Sequence, residues 1–253
     1  MALVWLPLRA QRYQRWGLCS LAHVDTGLLM AVLLLGGLFG ARAFYALYFP
    51  QELLQNPLGF WVQRGGLVWY GGILGGVAAL WAWSFLHRQS PMAWLALLAP
   101  ILAAGLAIGR LGCFLSGCCY GGPCPYPWLA VHYPHGHASY PLGVYPAPLF
   151  EALLSLGLVA FLLWVERTLV RQSPGRVIPT VIGGLFIGLG LNRFALECLR
   201  GDTIAWLRWD FGFTTLAWSA SQCMSIGVVA LGLGVLFWRR GASRLLKKPH
   251  HGR

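Results

Sequence analysis

Six runs of about twenty mostly apolar residues constrain this chain more than any other feature. That is the length an α-helix needs to cross the hydrocarbon core of a bilayer. The runs cover 25–49, 67–86, 92–115, 146–165, 177–200 and 214–238. In lipid every backbone N–H and C=O must be satisfied within the protein, so the pattern predicts helices and excludes an open sheet. Composition removes the alternative of core helices in a soluble domain. With 57% hydrophobic and 10% charged residues, the chain lacks the polar groups to coat a water-exposed surface. The expected fold is all-α: a polytopic membrane bundle of about six helices, with interfacial arms and loops on its outer face.

Orientation follows from the cations. Arg9, Arg12 and Arg15 precede the first run, and Arg88 lies between the second and third. Arg167, Arg171 and Arg176 lie between the fourth and fifth, and Arg239, Arg240, Arg244, Lys247, Lys248 and Arg253 follow the sixth. All fall on one side of an even-numbered bundle, which the positive-inside rule makes the cytoplasm. Both termini are therefore expected inside. No Lys or Arg occurs between Leu111 and Glu166, where the outer loop is rich in Pro, Tyr, Trp, His and Cys. The segments expected are a basic N-terminal stretch (1–24), a membrane-embedded domain (25–238) and a basic tail (239–253). Met1 to Leu8 is too short an apolar run for a cleavable signal peptide, and its arginines follow it instead of leading it. The net charge of +12 resides in these clusters, so a nucleic-acid partner is not expected. Small-xxx-small pairs at Gly36/Gly40, Gly72/Gly76, Gly105/Gly109 and Gly184/Gly188 mark faces where helices pack closely.

The charges inside the runs carry the chemistry. An arginine at mid-bilayer costs at least ~2.5 kcal/mol on insertion scales, so it needs a cavity or a partner. Arg42, Arg110 and Glu151 each lie in the outer half of a run, and Arg193, Glu197 and Arg200 share one helical stripe at i, i+4, i+7. Glu197 can neutralise either neighbouring arginine, leaving positive charge towards the outer leaflet. Guanidinium presents paired donors in the geometry phosphate oxygens accept, so an anionic lipid headgroup is the ligand expected there. Snorkelling to the outer headgroups is the bland alternative.

The stretch from Ile108 to Gly121, with Gly109-Arg110-Leu111-Gly112 leading into a polar, glycine-ended turn, resembles the signature of the prolipoprotein diacylglyceryl transferases. Gly37 to Tyr45, Tyr70 to Gly76, Tyr145 to Glu151, Arg193 to Arg200, and Gln222 with Ser225 resemble further pieces of that family in order. The resemblance spans about 25–238. It implies transfer of a diacylglyceryl group from phosphatidylglycerol to the lipobox cysteine thiol of a bacterial prolipoprotein, at the inner membrane and without a cofactor. By the same resemblance Arg110 and Arg193 hold the leaving phosphate, with Glu197 and Arg200 orienting Arg193. Tyr70 would donate a hydrogen bond to that phosphate, while Arg42, Glu151, Gly112 and Gly121 line the substrate.

The sequence departs from the family near this chemistry. Tyr70 stands at the family's histidine, Cys113 at its asparagine and Cys118 at its glutamate, while Tyr145, Pro148 and Phe150 replace a histidine, glutamine and tyrosine. The family's first helix, with its own tyrosine, is expected to be missing, because Arg9 to Leu18 begins where that helix would end. A tyrosine is a poor base at neutral pH, so thiol activation falls to the arginine field, assisted by Glu151. A lipid-binding relative without activity is the rival reading, and a Cys/His metal or thiol redox protein a third. Cys113, Cys118, Cys119 and Cys124 lack the x2 spacing of common zinc modules, so no metal is assigned. They read as packed thiols or as a disulfide from Cys118 or Cys119 to Cys124. One of His132, His135 and His137 could replace the missing base. Residues 51–64, with Phe60 and Trp61, read as a second interfacial arm.

Overall fold

In a computed structural model, residues 2–16, 25–62, 68–197, 199, 205–210 and 215–245 are described. They form nine α-helices and one β-ribbon: α1 (Ala2–Arg15), α2 (Thr26–Tyr48), α3 (Pro50–Gln55), α4 (Pro57–Val62), α5 (Trp69–Leu86), α6 (Pro91–Leu115), α7 (Ala147–Gln172), α8 (Val177–Glu197), β1 (Ala205–Asp210), β2 (Thr215–Ser219) and α9 (Ala220–Leu245). Each of the six apolar runs holds one long helix. Among the described residues four stretches are long and apolar enough to cross a membrane: Gly27–Leu47, Pro91–Leu115, Ala147–Gln172 and Val177–Glu197. Gly71–Leu86 and Ser221–Phe237 are apolar but shorter. Leu34, Leu35 and Phe39 on α2 are largely exposed, as lipid-facing side chains are.

The residues 1–97 and 98–253 form two compact units. In the first, α2 and α5 run antiparallel along a glycine seam. A Cβ at Gly40 would strike the Gly71 carbonyl, and one at Gly75 would fall 2.8 Å from the Gly40 Cα. The close-packed pair on α5 is thus Gly71/Gly75, one residue before the expected Gly72/Gly76, whose second member faces open space. One residue of helix turns a side chain by about 100°, so the offset selects a different face. Gly105 and Gly109 on α6 likewise meet nothing near their Cβ positions. Where a basic N-terminal segment was expected, α1 is a helix. It buries Leu6, Arg9 and Tyr13, and the Arg9 Nε–H donates to the Leu97 carbonyl at 3.2 Å. Where an interfacial arm was expected, the chain forms a pair of one- to two-turn helices, α3 and α4, with Leu54 and Trp61 exposed.

In the second unit α7, α8 and α9 pack in sequence as antiparallel neighbours. The α8 glycines work on two faces. A Cβ at Gly184 or Gly188 would meet Leu162 or Leu158 of α7, while one at Gly183 or Gly190 would meet Leu236 or Val229 of α9. The β-ribbon departs from the all-helical expectation. Residues 215–219, at the head of the sixth run, pair with β1 instead of entering the helix. Thr and Trp favour an extended chain, and the two strands carry Trp206, Trp209, Thr215 and Trp218. The helix begins only at the Ser219-Ala220-Ser221-Gln222 capping box. There Gln222 N–H donates to Ser219 Oγ at 3.2 Å and Ser219 N–H to Gln222 Oε1 at 3.0 Å.

Candidate functional site

The second unit brings Arg110, Glu151, Arg193 and Glu197 to one end of its helices, the C-terminal ends of α6 and α8 and the N-terminal ends of α7 and α9, while the buried Glu166 lies towards the other end of α7. Arg110 lies in the last two turns of α6 and Glu151 in the second turn of α7. Arg110 Nε meets Glu151 Oε2 at 2.9 Å, with the side chains 21% and 8% exposed. The sequence reading paired neither residue, because no spacing rule links sites 41 residues apart.

The second pair was legible. Arg193 Nη2 meets Glu197 Oε2 at 3.1 Å, one helical turn on. Its Nε–H also donates to Ser221 Oγ of α9 at 2.7 Å, and Ser219 Oγ–H donates to Glu197 Oε1 at 2.9 Å. Glu197 therefore joins its own arginine to the capping box of α9, so Arg193 is positioned from two helices. Gln222 serves in that box.

The two ion pairs are linked through α7. Glu151 and Ser155 share a face of this helix, about 6 Å apart along its axis. Ser155 Oγ accepts from Asn192 Nδ2 at 3.1 Å, and Asn192 directly precedes Arg193. Asn192 Oδ1 is buried and has no hydrogen-bond partner among the described residues. Asn192 was missed at the sequence level, although a lone amide inside an apolar run is itself a signal. It opens onto a cleft of about 540 Å³ lined by Leu154, Leu158, Phe161, Gly188 and Leu191 among others. The lining reaches from Thr180 to Ala195, roughly 22 Å along α8, about the length of an extended acyl chain.

The loop between α6 and α7 folds on itself beside this end. Gly121 N–H donates to the Tyr145 carbonyl at 2.8 Å, and a Cβ there would lie 2.7 Å from Tyr145 Cβ and 2.8 Å from the Leu199 carbonyl, so only glycine fits. Gly112 has open space at its Cβ position. The histidines serve the loop itself: His137 bonds Gly117 and Ser139, and His135 Nε2 lies 2.9 Å from the Tyr140 hydroxyl. Desolvation, then the Cys124 thiol, raises the Tyr145 phenol above its ordinary value. At neutral pH Tyr145 is therefore a hydrogen-bond donor and no base. Cys118, Cys119 and Cys124 are free thiols.

In the first unit Arg42 is buried against α4. Its Nη2 donates to the Phe60 carbonyl, and its guanidinium lies 4.9 Å from the Phe60 ring centroid and 5.8 Å from that of Tyr45. Tyr70 lies in the first turn of α5. Its side chain, and Arg200, fall outside the described residues.

Comparison with known proteins identifies the family. A family model for prolipoprotein diacylglyceryl transferase matches residues 1–238, reaching past the expected start at 25 to include α1. A phosphatidylglycerol–prolipoprotein diacylglyceryl transferase of Rhodospirillum rubrum is 34% identical over 250 residues, covering 95% of this chain and 84% of that protein. Proteins of the same name from Ruegeria pomeroyi and Idiomarina loihiensis are 33% and 31% identical, covering 81% and 79% of this chain and 73% and 70% of theirs. This chain belongs to the prolipoprotein diacylglyceryl transferase family.

Proposed function

We propose that this protein transfers the diacylglyceryl group of phosphatidylglycerol to the lipobox cysteine of a prolipoprotein. The observation that carries the reading is the pair of arginines, Arg110 and Arg193, each fixed by a carboxylate at one end of an apolar bundle. In the reaction the thiolate sulfur attacks the glycerol carbon that bears the phosphate, a C–S bond forms, and the C–O bond to phosphate breaks. Glycerol phosphate leaves with one more negative charge than the diester carried. Preformed donors aimed at that growing charge lower the barrier, because they need no reorganisation.

Arg110 meets Glu151 through Nε, and Arg193 uses Nε and Nη2 in its contacts with Ser221 and Glu197. Guanidinium carries five N–H donors, so the remaining edges are those that would take phosphate oxygens. Each glutamate then has a positioning role, holding an arginine where lipid would otherwise drive it towards water. The same positive field favours the lipobox thiolate over the thiol. An acyl chain would lie in the cleft between α7 and α8, with Asn192 near its polar end. Arg200, Gly112 and Gly121 are assigned to substrate binding on the same side, and Tyr70 and Arg42 keep the roles that the family resemblance implies. All six long helices are taken to span the inner membrane, α5 and α9 as the shorter spans, with both termini cytoplasmic and the loop 116–146 outside.

The test is rescue of bacterial cells depleted of their own transferase. Growth and lipidation of a reporter prolipoprotein are expected with this chain and not with Arg193→Ala. A membrane-inserted chain that restores neither would favour a lipid-binding role without transfer.

A further inference from the structure

The end of α6 brings together three thiols that the transfer reaction does not use. The helix stops in a Schellman turn: Gly117 takes a φ of +68°, its N–H donates to the Phe114 carbonyl at 3.1 Å, and Cys118 N–H donates to the Cys113 carbonyl at 3.0 Å. This motif presses the third-last helical residue against the second residue beyond the cap, a contact ordinarily made by two apolar side chains. Here those residues are Cys113 and Cys118. Cys119 then adopts a φ of +60°, uncommon outside glycine. The Schellman turn itself needs neither that conformation nor a third thiol. The result is that the Sγ atoms of Cys113, Cys118 and Cys119 all lie within 4.8 Å of one another.

The loop braces this turn from outside. His137 Nε2 lies 2.8 Å from the Gly117 carbonyl, which can only accept, so Nε2 carries the proton. Nδ1 accepts the Ser139 N–H at 3.2 Å, and the ring stacks on Tyr133 at 4.1 Å. Both ring nitrogens are thereby occupied. His137 is a support for the turn that carries the thiols, in the manner of groups that orient ligands from behind.

We propose that Cys113, Cys118 and Cys119 form a trithiolate site for one thiophilic d10 cation, zinc(II) or copper(I). Three sulfurs about 2.3 Å from a tetrahedral zinc stand about 3.8 Å apart, so the thiols need draw in by only about 1 Å. Cys118 and Cys119 are exposed, which leaves an entry path and a fourth position for water. Sulfur ligands select soft cations over magnesium or calcium. Each thiol that binds releases its proton to solvent, with no change of oxidation state. A bound ion would staple the helix end three residues beyond Arg110. The site stands or falls independently of the transfer activity.

The test uses the full-length protein in detergent, reduced, stripped with a chelator and handled anaerobically. Zinc(II) and copper(I) are titrated in separate arms against chromophoric competitors, and cobalt(II) serves as a spectroscopic probe. One ion per chain is expected, with thiolate-to-cobalt charge-transfer absorption. Cys113→Ser, Cys118→Ser and Cys119→Ser should each weaken binding by at least about tenfold, while Cys124→Ser and Cys223→Ser leave it unchanged. Alkylation mapped by mass spectrometry on the unmutated protein needs no variant to fold, and the ion should protect these three thiols alone. Absence of binding, binding indifferent to the triple serine variant, protection of other cysteines, or an obligatory disulfide within the trio would each overturn the proposal.

Discussion

Replacing Arg110 by methionine separates a phosphate-binding arginine from one that only holds helices together. Glu151 is 8% exposed and 2.9 Å from Arg110, so the substitution deprives a buried carboxylate of its ion-pair partner. Breaking one side of such a pair costs about 3–5 kcal/mol in dry interiors. Arg110 retains 21% exposure, which places the expected loss at the lower end of that range. Transfer should fall by about 10²–10³-fold, the effect of removing one donor from a developing anion. The double variant Arg110→Met/Glu151→Met removes the carboxylate as well, and replacement of a buried pair by apolar residues is often neutral for stability. Thermal unfolding in phosphatidylglycerol micelles should then recover while transfer to a lipobox peptide stays low. If transfer returns along with stability, Arg110 is a structural residue and the phosphate-binding role fails.

Glu197→Gln keeps an acceptor for Ser219 but removes the charge facing Arg193, and should lower kcat/KM about tenfold with little effect on peptide binding. Gly157 lines the cleft between α7 and α8 and has no neighbour near its Cβ position, so Gly157→Phe should raise the KM for phosphatidylglycerol without lowering the Tm. Gly75→Leu drives a side chain into the backbone of α2 and should cost about 1–3 kcal/mol or more in an unfolding assay, whereas Gly76→Leu should be close to neutral. Desolvation, then hydrogen bonds to the Cys113 and Cys119 thiols, pushes the Cys118 thiol up to about 11. Only the thiolate is alkylated, so in metal-free protein Cys118 should react at pH 8 roughly a hundredfold more slowly than an ordinary thiol and catch up only above pH 11.

The helices were readable because lipid leaves the backbone one economical way to satisfy itself, and 20 apolar residues announce it. Arg193 and Glu197 were readable for the same reason that any i, i+4 pair is: both sit on one helix. Arg110 with Glu151, and Asn192 with Ser155, were not, since their proximity is created by packing between helices distant in sequence. The glycine seam illustrates the intermediate case. Sequence spacing identified a small-residue face on α5 but placed it one residue off, because Gly71, Gly72, Gly75 and Gly76 offer two overlapping faces and only the partner helix selects one. The β-ribbon was masked by apolar residues that suit a span and a strand equally. The thiol trio needed a left-handed cysteine, which no spacing rule contains.

The most direct measurement is the stoichiometry of transfer by the purified protein. With phosphatidylglycerol labelled in its headgroup glycerol and a lipobox peptide, one glycerol phosphate should be released for each diacylglyceryl thioether formed. Substitution of both Arg110 and Arg193 by alanine should abolish both products together. A thioether formed without glycerol phosphate, or undiminished turnover in the doubly substituted protein, would contradict the account.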